Sequence, residues 1–339
     1  MAHIEKAQVG ALRFNISAGT FHKFSALLTL VILVVVFSFG NAAFLSVNNG
    51  LTILLQTSVI GLLGIGMTMV IITGGIDLSV GSVLALSGTV TGMMVKSGLP
   101  VVPAMLLGVL TGAACGLFNG FVITKMRITP FVATLGMMLI ARGFALQLTG
   151  AAPISRLGDA FGVLGNGALF RIVEQGNNGF PRVVFPGIPY PAILLVVVAV
   201  IAAYLLNRRQ IGRHIYAVGS NEEAARLAGV EVHRTKLIAY SLSGALAGLS
   251  GIVLMSRLIT AQPNEGVMYE LDAIAAAVIG GASLMGGVGS ISGTMIGGFI
   301  IGVLRNGLNM GGVSSFIQQI VIGFVVIGAV YIDQIRNRR

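Results

Sequence analysis

The stretch LTILLQTSVIGLLGIGMTMVIITGGIDLSVGS (residues 51–82) joins a long uncharged apolar run to a turn that holds a single acid, Asp77. The run belongs to a larger segment, 24–76, that contains no Asp, Glu, Lys, Arg or His. Residues 51–73 are long enough and apolar enough to cross a lipid bilayer as a helix. The stretch therefore predicts a membrane-spanning helix, a turn at Gly74-Gly75, and a second helix that starts just after Asp77.

Composition extends this conclusion to the whole chain. Its 339 residues are 55% hydrophobic and 9% charged, whereas soluble domains carry about 25% charged residues. The 48 glycines fit the same class, since small residues allow membrane helices to approach closely. We therefore predict an all-α, polytopic membrane protein, surrounded by lipid, with one transmembrane domain over residues 1–339.

Other classes of protein fit less well. The net charge of +10 would suit nucleic acid, but the basic residues are scattered between apolar runs, so we expect no nucleic-acid partner. The first apolar run starts near Phe24 and lacks a convincing cleavage site, which favours a retained first span over a signal peptide. The single cysteine, Cys115, permits no disulfide within the chain and no metal site built on cysteine. We expect no metal site and no catalytic group, since the histidines read as solvated residues: His3, His22, His214 and His233.

Apolar runs of about 20 residues mark the candidate spans. About ten such spans are expected, at 22–40, 51–73, 79–96, 101–123, 129–149, 190–206, 237–258, 272–285, 292–308 and 316–332. The eighth of these is short and Gly-rich, so we expect a broken or re-entrant helix there.

The distribution of Lys and Arg predicts the orientation. If the N-terminus is cytoplasmic, the inside segments are 1–21, 74–78, 124–128, 207–236, 286–291 and the C-terminal tail. These segments and the inner edge of the first span hold 14 of the 21 basic residues. Both termini are therefore expected in the cytoplasm, with a long outside loop at 150–189 and a second one at 259–271.

The inside loop 207–236 contains a candidate docking helix. Asn221 is a good N-cap, and Glu222-Glu223 place two acids in the first turn, where the helix dipole favours them. Gly229 supplies a C-terminal stop. A helix of about two turns is unstable alone, so it either serves as a solvated connector or docks on a cytoplasmic partner, and we favour docking.

At this point the residues resemble a known family. NEEAARLAGV (221–230), GGIDLSVGS (74–82), YELDAIAAAVIGGASLMGGVGSISGT (269–294) and NGLNMGGVSSFIQQIV (306–321) are similar to permease subunits of bacterial ABC importers for monosaccharides. The likeness is greatest to the ribose, xylose and galactose group and runs over nearly the whole chain.

The resemblance implies a set of partners and one coupling element. The partners are two cytoplasmic ATPase subunits that bind ATP and Mg, a periplasmic sugar-binding protein, and a second permease chain, most simply an identical one, in the bacterial inner membrane. The resemblance also implies that a short cytoplasmic helix docks into each ATPase. Here that role falls on Asn221, Glu222, Glu223, Ala224, Arg226, Leu227 and Gly229.

The chain itself carries no ATPase motif and is expected to be non-catalytic. The phosphate-binding loop G-x-x-x-x-G-K-[ST] is missing from the sequence, and GGVGSISGT (286–294) has the glycines without the lysine. No cofactor is therefore expected in this chain.

Several small polar residues are candidates for the translocation path or an inner gate. The segments around Ser82 and Ser290 resemble each other, and transporters often place substrate paths between repeated, broken helices; close packing is the alternative reading. For Asp77, at the predicted cytoplasmic end of the second span, a helix cap is favoured over a sugar ligand. The full set of candidates is Gln56, Thr57, Asp77, Ser79, Ser82, Ser290 and Asn306.

Two alternative functions stay open from the sequence. The first is an importer permease for another small solute, such as branched-chain amino acids. The second is a secondary transporter driven by an ion gradient, which would need ionisable residues inside the membrane. Arg142 is the costliest such residue, and we expect it to make a salt bridge or cap a helix rather than contact substrate.

Overall fold

The computed structural model describes residues 18–175 and 181–337. Most of the predicted N-terminal tail, 1–21, lies outside these residues, as do the centre of the loop 150–189 and the last two residues of the chain. Ten long or apolar helices form the bundle: α1 (Ala18–Gly40), α2 (Val47–Ile72), α3 (Val80–Lys96), α4 (Val101–Lys125), α5 (Pro130–Thr149), α7 (Tyr190–Arg208), α10 (Val232–Leu258), α11 (Tyr269–Ile279), α12 (Ile291–Met310) and α13 (Ser315–Asn337).

Six of these helices are long and apolar enough to cross a membrane, by length and composition: α2, α4, α5, α7, α10 and α12. Three shorter apolar helices lie at Phe24–Gly40, Val80–Lys96 and Ser315–Gly328. Each predicted span overlaps one helix of the bundle, so the positions agree with the sequence, but a count of about ten spans is not confirmed. Helix α11 ends at Ile279, short of the predicted end at 285, because Gly280 and Gly281 follow it. At about 1.5 Å per residue it is too short to cross a bilayer alone.

The connections contain structure that the sequence did not predict. The loop 150–189 holds a short helix, α6 (Asp159–Asn166), and four short strands, β1 (Ala168–Leu169), β2 (Ile172–Gln175), β3 (Pro181–Phe185) and β4 (Ile188–Pro189). The strands pair antiparallel as β1–β4 and β2–β3. The chain is therefore mostly helical rather than purely α. The loop 207–236 contains two helices, α8 (Gln210–Ser220) and α9 (Glu222–Leu227), and a 3-10 turn joins α1 to α2 at Ala42–Leu45.

Glycines bring the central helices into backbone contact. Helix α10 packs on α4, α2 and α3, and a Cβ on Gly112 of α4 would overlap the carbonyl oxygen of Gly244 on α10. The same is true of Gly116 against Tyr240. Since lipid supplies no hydrophobic drive between helices, such close approach is a main source of their association.

Candidate functional site

Helix α9 has the ends that the sequence predicts. The Asn221 side chain accepts a hydrogen bond from the amide of Ala224 at 2.8 Å, which caps the helix. At the other end Gly229 has φ +83°, a left-handed conformation that favours glycine. Its amide donates to the Arg226 carbonyl, and the amide of Val230 donates to the Ala225 carbonyl, which closes the last turn.

Most of the surface of α9 is exposed. Of its residues only Ala225 is buried, and Leu227 is 80% exposed. Arg226 pairs with Glu223 at 2.6 Å, with both side chains about two-thirds exposed, and this hydrogen bond raises the pKa of Arg226. Such an exposed pair adds little to stability, so these residues are free to exchange partners.

Glu222 makes a different contact. Its carboxylate accepts from the Lys236 ammonium at 2.6 Å, and the Lys236 side chain is only 14% exposed. The ion pair fastens α9 to the start of α10. Glu222 therefore holds the helix in place, whereas Glu223, Arg226 and Leu227 face outward.

Helix α8 was not predicted, although its pattern was readable. Its buried residues Gly212, Ile215 and Val218 recur at helical spacing, which indicates one apolar face. The Tyr216 hydroxyl donates to the Gly289 carbonyl at 2.8 Å, and burial raises the pKa of this tyrosine. This bond joins α8 to the segment between α11 and α12.

Three backbone segments meet at the end of α8, in a contact that we call the glycine clasp: Ile72, Gly219 and Gly287. The Gly287 amide donates to the Ile72 carbonyl at 2.9 Å. A Cβ on Gly219 would overlap that carbonyl oxygen and would lie 2.6 Å from the Gly287 nitrogen. No side chain fits at Gly219, so this residue, two positions before the α9 cap, lies directly against the end of α2 and the segment between α11 and α12.

Asp77, in the segment 74–78 that is expected between two spans, has its side chain buried inside the bundle. Gly74 is exposed, but Asp77 and Ser79 are each 1% exposed. Asp77 Oδ1 accepts from the Ser79 amide at 3.0 Å and from its hydroxyl at 2.6 Å. Asp77 Oδ2 accepts from the Ser243 hydroxyl on α10 at 3.0 Å. After Gly74 the chain thus turns back among the helices.

These bonds make Asp77 the centre of a buried polar cluster. Ser79 occupies the N-cap position of α3 without a side-chain cap bond of its own, and its hydroxyl accepts from the Asn119 amide on α4 at 3.0 Å. The carboxylate satisfies the amide at the start of α3, as a cap does. Through Ser243 it also ties that helix start to α10, and the Ser79 hydroxyl ties it to α4. The geometry fits the capping hypothesis, extended to long-range contacts.

The two halves of the suggested repeat have similar shapes. Helix α2 ends at Ile72, just before Gly74-Gly75, and α11 ends at Ile279, just before Gly280-Gly281. Gly74 and Gly281 have φ of +80° and +91°. Ser290 caps α12 by accepting from the Gly293 amide at 3.2 Å, whereas Ser82 is 3% exposed within α3. Ser290 therefore caps a helix and Ser82 is buried within one.

The remaining candidates lie toward the opposite end of the bundle. Asn306 of α12 donates to Asn49 of α2 at 2.9 Å. Thr57 is fully buried, and a Cβ on Gly302 would overlap its hydroxyl oxygen, so it packs between α2 and α12. Gln56 faces a polar cavity. The seven path candidates thus form two groups rather than one site.

Arg142 is held by backbone oxygens. Its guanidinium donates to the carbonyls of Pro263 and Glu265, the latter at 2.8 Å. The loop 259–271 therefore folds against α5, and the contact has a structural explanation other than the expected salt bridge or cap. No residue pattern signalled it, since the acceptors are carbonyls.

Comparisons with known proteins agree with the resemblance seen in the sequence. A family model described as the permease component of the branched-chain amino acid transport system matches residues 49–330. The ribose import permease protein of Bacillus subtilis (strain 168) is 47% identical over 93% of this chain and 94% of its own length.

More distant relatives carry the names of other sugars, and no solved structure matches the chain. The D-allose transport system permease protein of Escherichia coli (strain K12) is 39% identical over 93% of each chain. The xylose transport system permease protein of Haemophilus influenzae is 33% identical, over 96% of this chain and all of its own. The chain belongs to the family of importer permease components that includes these sugar permeases.

Proposed function

We propose that the chain is the permease subunit of an ATP-driven importer that moves a monosaccharide, a ribose-like pentose or a hexose, into the cytoplasm. The observation that carries this proposal is the 47% identity to a ribose import permease along nearly the whole length of both chains. A likeness of this extent includes the helices of the bundle, both broken-helix turns and α9.

The assembly that we propose has two copies of the permease in the inner membrane, with about ten spans each and both termini in the cytoplasm. Two separate ATPase subunits bind ATP and Mg, and a periplasmic protein delivers the sugar to the loops 150–189 and 259–271. The exposed surface of α9, with Glu223, Arg226 and Leu227 outward, supports its assignment as the ATPase contact.

The structure suggests how closure of the ATPases would reach the membrane. Helix α9 is fastened to α10 by the Glu222–Lys236 pair. At the same, N-terminal end of α9, the α8–α9 junction lies beside the glycine clasp. A displacement of α9 would therefore act on the turn after α2 and on the segment before α12. We propose that these two segments form the gate on the α9 side.

An amino-acid permease is the second candidate, because the description of the matching family model names a branched-chain amino acid transport system. The curated relatives quoted above are all named for sugars, which favours the monosaccharide. An ion-driven transporter has no comparable support.

Reconstitution tests this proposal directly. Proteoliposomes containing the permease and its ATPase, given the cognate binding protein, should take up ribose, xylose or allose only with ATP, and should not take up leucine. Uptake driven by an ion gradient without ATP, or of leucine alone, would contradict it.

The coupling assignment has its own variants. Glu223→Ala combined with Leu227→Ala should leave the permease folded while weakening its co-purification with the ATPase, because both side chains are exposed. Ser97→Ala, an exposed residue outside α9, is the control. Wild-type yield of the complex and normal uptake would show that α9 is not the contact.

A further inference from the structure

A polar cavity lies between α2, α10, α11, α12 and α13, at the end of the bundle away from α9. Its volume is about 220 Å³. Arg257, near the C-terminus of α10, lines the cavity. Because α10 begins beside α9, the cavity lies at the end of the bundle opposite to α9. The polar residues that line this far cavity are Gln56, Arg257, Tyr269, Arg305, Asn309 and Gln318.

The two arginines of the far cavity are not both neutralised. Arg305 donates to both carboxylate oxygens of Asp272, at 2.8 and 2.6 Å. Its Nε is buried and has no hydrogen-bond partner within the part of the chain that the structure describes. Arg257 forms no ion pair among the described residues. The lining thus contains two guanidinium groups and no acid of its own.

An ion pair accounts for Arg305 but not for Arg257, which lies in the last turn of α10, where the helix dipole favours a cation. Charged groups within membrane helices are costly and commonly mark substrate pathways, and Arg305 offsets this cost by holding the buried Asp272. Arg257 has no such partner. It lies within a group of amides and a phenol, which are the groups that hydrogen-bond a ligand.

The chemistry of the lining matches a polyhydroxylated ligand. Gln56 and Asn309 can each donate and accept, and the guanidinium groups add donors, so the ring and hydroxyl oxygens of a sugar can be satisfied. Gln318 adds its carbonyl oxygen as an acceptor, since its amide nitrogen already donates to the Val313 carbonyl at 2.9 Å. Val59, Ile60 and Leu254 supply an apolar wall for the C–H face of a sugar ring. The ammonium group of an amino acid would find no unpaired carboxylate in this lining.

We propose that the far cavity binds a neutral monosaccharide during its passage, with Gln56 and Arg257 as direct ligands. The assignment rests on the proposed function. It places a sugar site within one permease chain, between the face that receives the sugar and the gate near α9.

The test compares substitutions within the far cavity with a matched one outside it. Gln56→Leu removes both polar atoms at similar size, and Arg257→Gln removes the unpaired charge. Gln147→Leu, on the exposed face of α5, makes the same chemical change as Gln56→Leu away from the cavity. Each variant is assembled with its ATPase in lipid nanodiscs and titrated with labelled ribose, xylose and allose without the binding protein. The same complexes are then assayed for ATP-driven uptake with it.

We expect Gln56→Leu and Arg257→Gln to weaken binding or slow uptake at least about tenfold, the effect of losing roughly one ligand hydrogen bond in a desolvated site. Gln147→Leu should match the wild type. Where binding is too weak to measure directly, the uptake rates decide. If the Arg257→Gln variant does not assemble with the ATPase, binding and uptake by Gln56→Leu and by the shorter Gln56→Asn still test the cavity assignment.

The outcomes separate this proposal from the proposed function. Sugar uptake at the wild-type rate by both cavity variants would overturn the cavity assignment alone. Tighter competition by ribonate or leucine than by ribose would also overturn it, in favour of an anionic or amino-acid ligand. A wild-type complex that transports none of the sugars would instead refute the proposed function.

Discussion

Asp77 shows how one residue can serve several elements. The sequence predicts a cap from the acid and the small residues around it, and the bonds to Ser79 agree with that. The bonds from Ser243 to Asp77 and from Asn119 to Ser79 could not be predicted, because they join residues far apart in sequence on helices whose facing sides carry no distinctive pattern. The buried carboxylate therefore organises three helices rather than one turn.

Substitutions at Asp77 should separate the role of its hydrogen bonds from the role of its charge. Asp77→Asn keeps an acceptor for Ser79 and presents a donor to the Ser243 hydroxyl, so we expect near-normal stability and uptake. Asp77→Ala leaves these buried partners unsatisfied and should destabilise the protein by about 1–3 kcal/mol. Thermal unfolding in nanodiscs and ATP-driven uptake measure the two effects. Loss of uptake in a stably folded Asp77→Asn protein would instead show that the charge itself takes part in transport.

At the scale of elements, a helix could be predicted from the sequence where a long apolar run alone determines its position. Long uncharged runs specify the positions of α2, α4 and α10, since a bilayer requires apolar side chains over a fixed length. The strands in the loop 150–189 were missed because they are two to five residues long and lie in a loop rich in glycine and proline. The span predicted at 272–285 extends beyond the end of α11, because the apolar pattern continues past Gly280, where the backbone turns.

The pairing of α11 with α12 depends on a buried ion pair. Asp272 is 2% exposed and Arg305 is 31% exposed, so removal of either partner leaves the other uncompensated. Arg305→Gln should therefore destabilise the protein by about 3–5 kcal/mol.

A double-mutant cycle isolates this interaction. Asp272→Asn combined with Arg305→Gln should recover much of the lost stability, because two amides of similar size replace the two charges. Thermal unfolding of the wild type, both single variants and the double variant gives the coupling. Strictly additive losses would mean that the two side chains do not act as a pair.

At the scale of the whole molecule, the glycine clasp joins the proposed ATPase contact, α9, to the two Gly-rich turns proposed as the gate. The sequence marked α9 as a docking helix and marked the two Gly-rich turns as candidate path elements, but not that they touch. Contact arises because Gly219 and Gly287 lack side chains where they meet the Ile72 carbonyl. A rigid backbone contact transmits a displacement with little loss, whereas flexible side chains would absorb it.

Enlarging Gly219 should therefore break the coupling between ATP hydrolysis and uptake. In Gly219→Ala the methyl group displaces the Ile72 carbonyl, and we expect the full complex to hydrolyse ATP while sugar uptake per ATP falls by about tenfold. Gly136→Ala, at a helical glycine with nothing within 4 Å of the added carbon, is the matched control. Tyr216→Phe removes only the bond to Gly289 and should lower the same ratio by less, which provides a second reading if Gly219→Ala assembles poorly. If both variants transport with the wild-type ratio, motion of α9 does not pass through the clasp, and the α10 attachment at Lys236 would have to carry it.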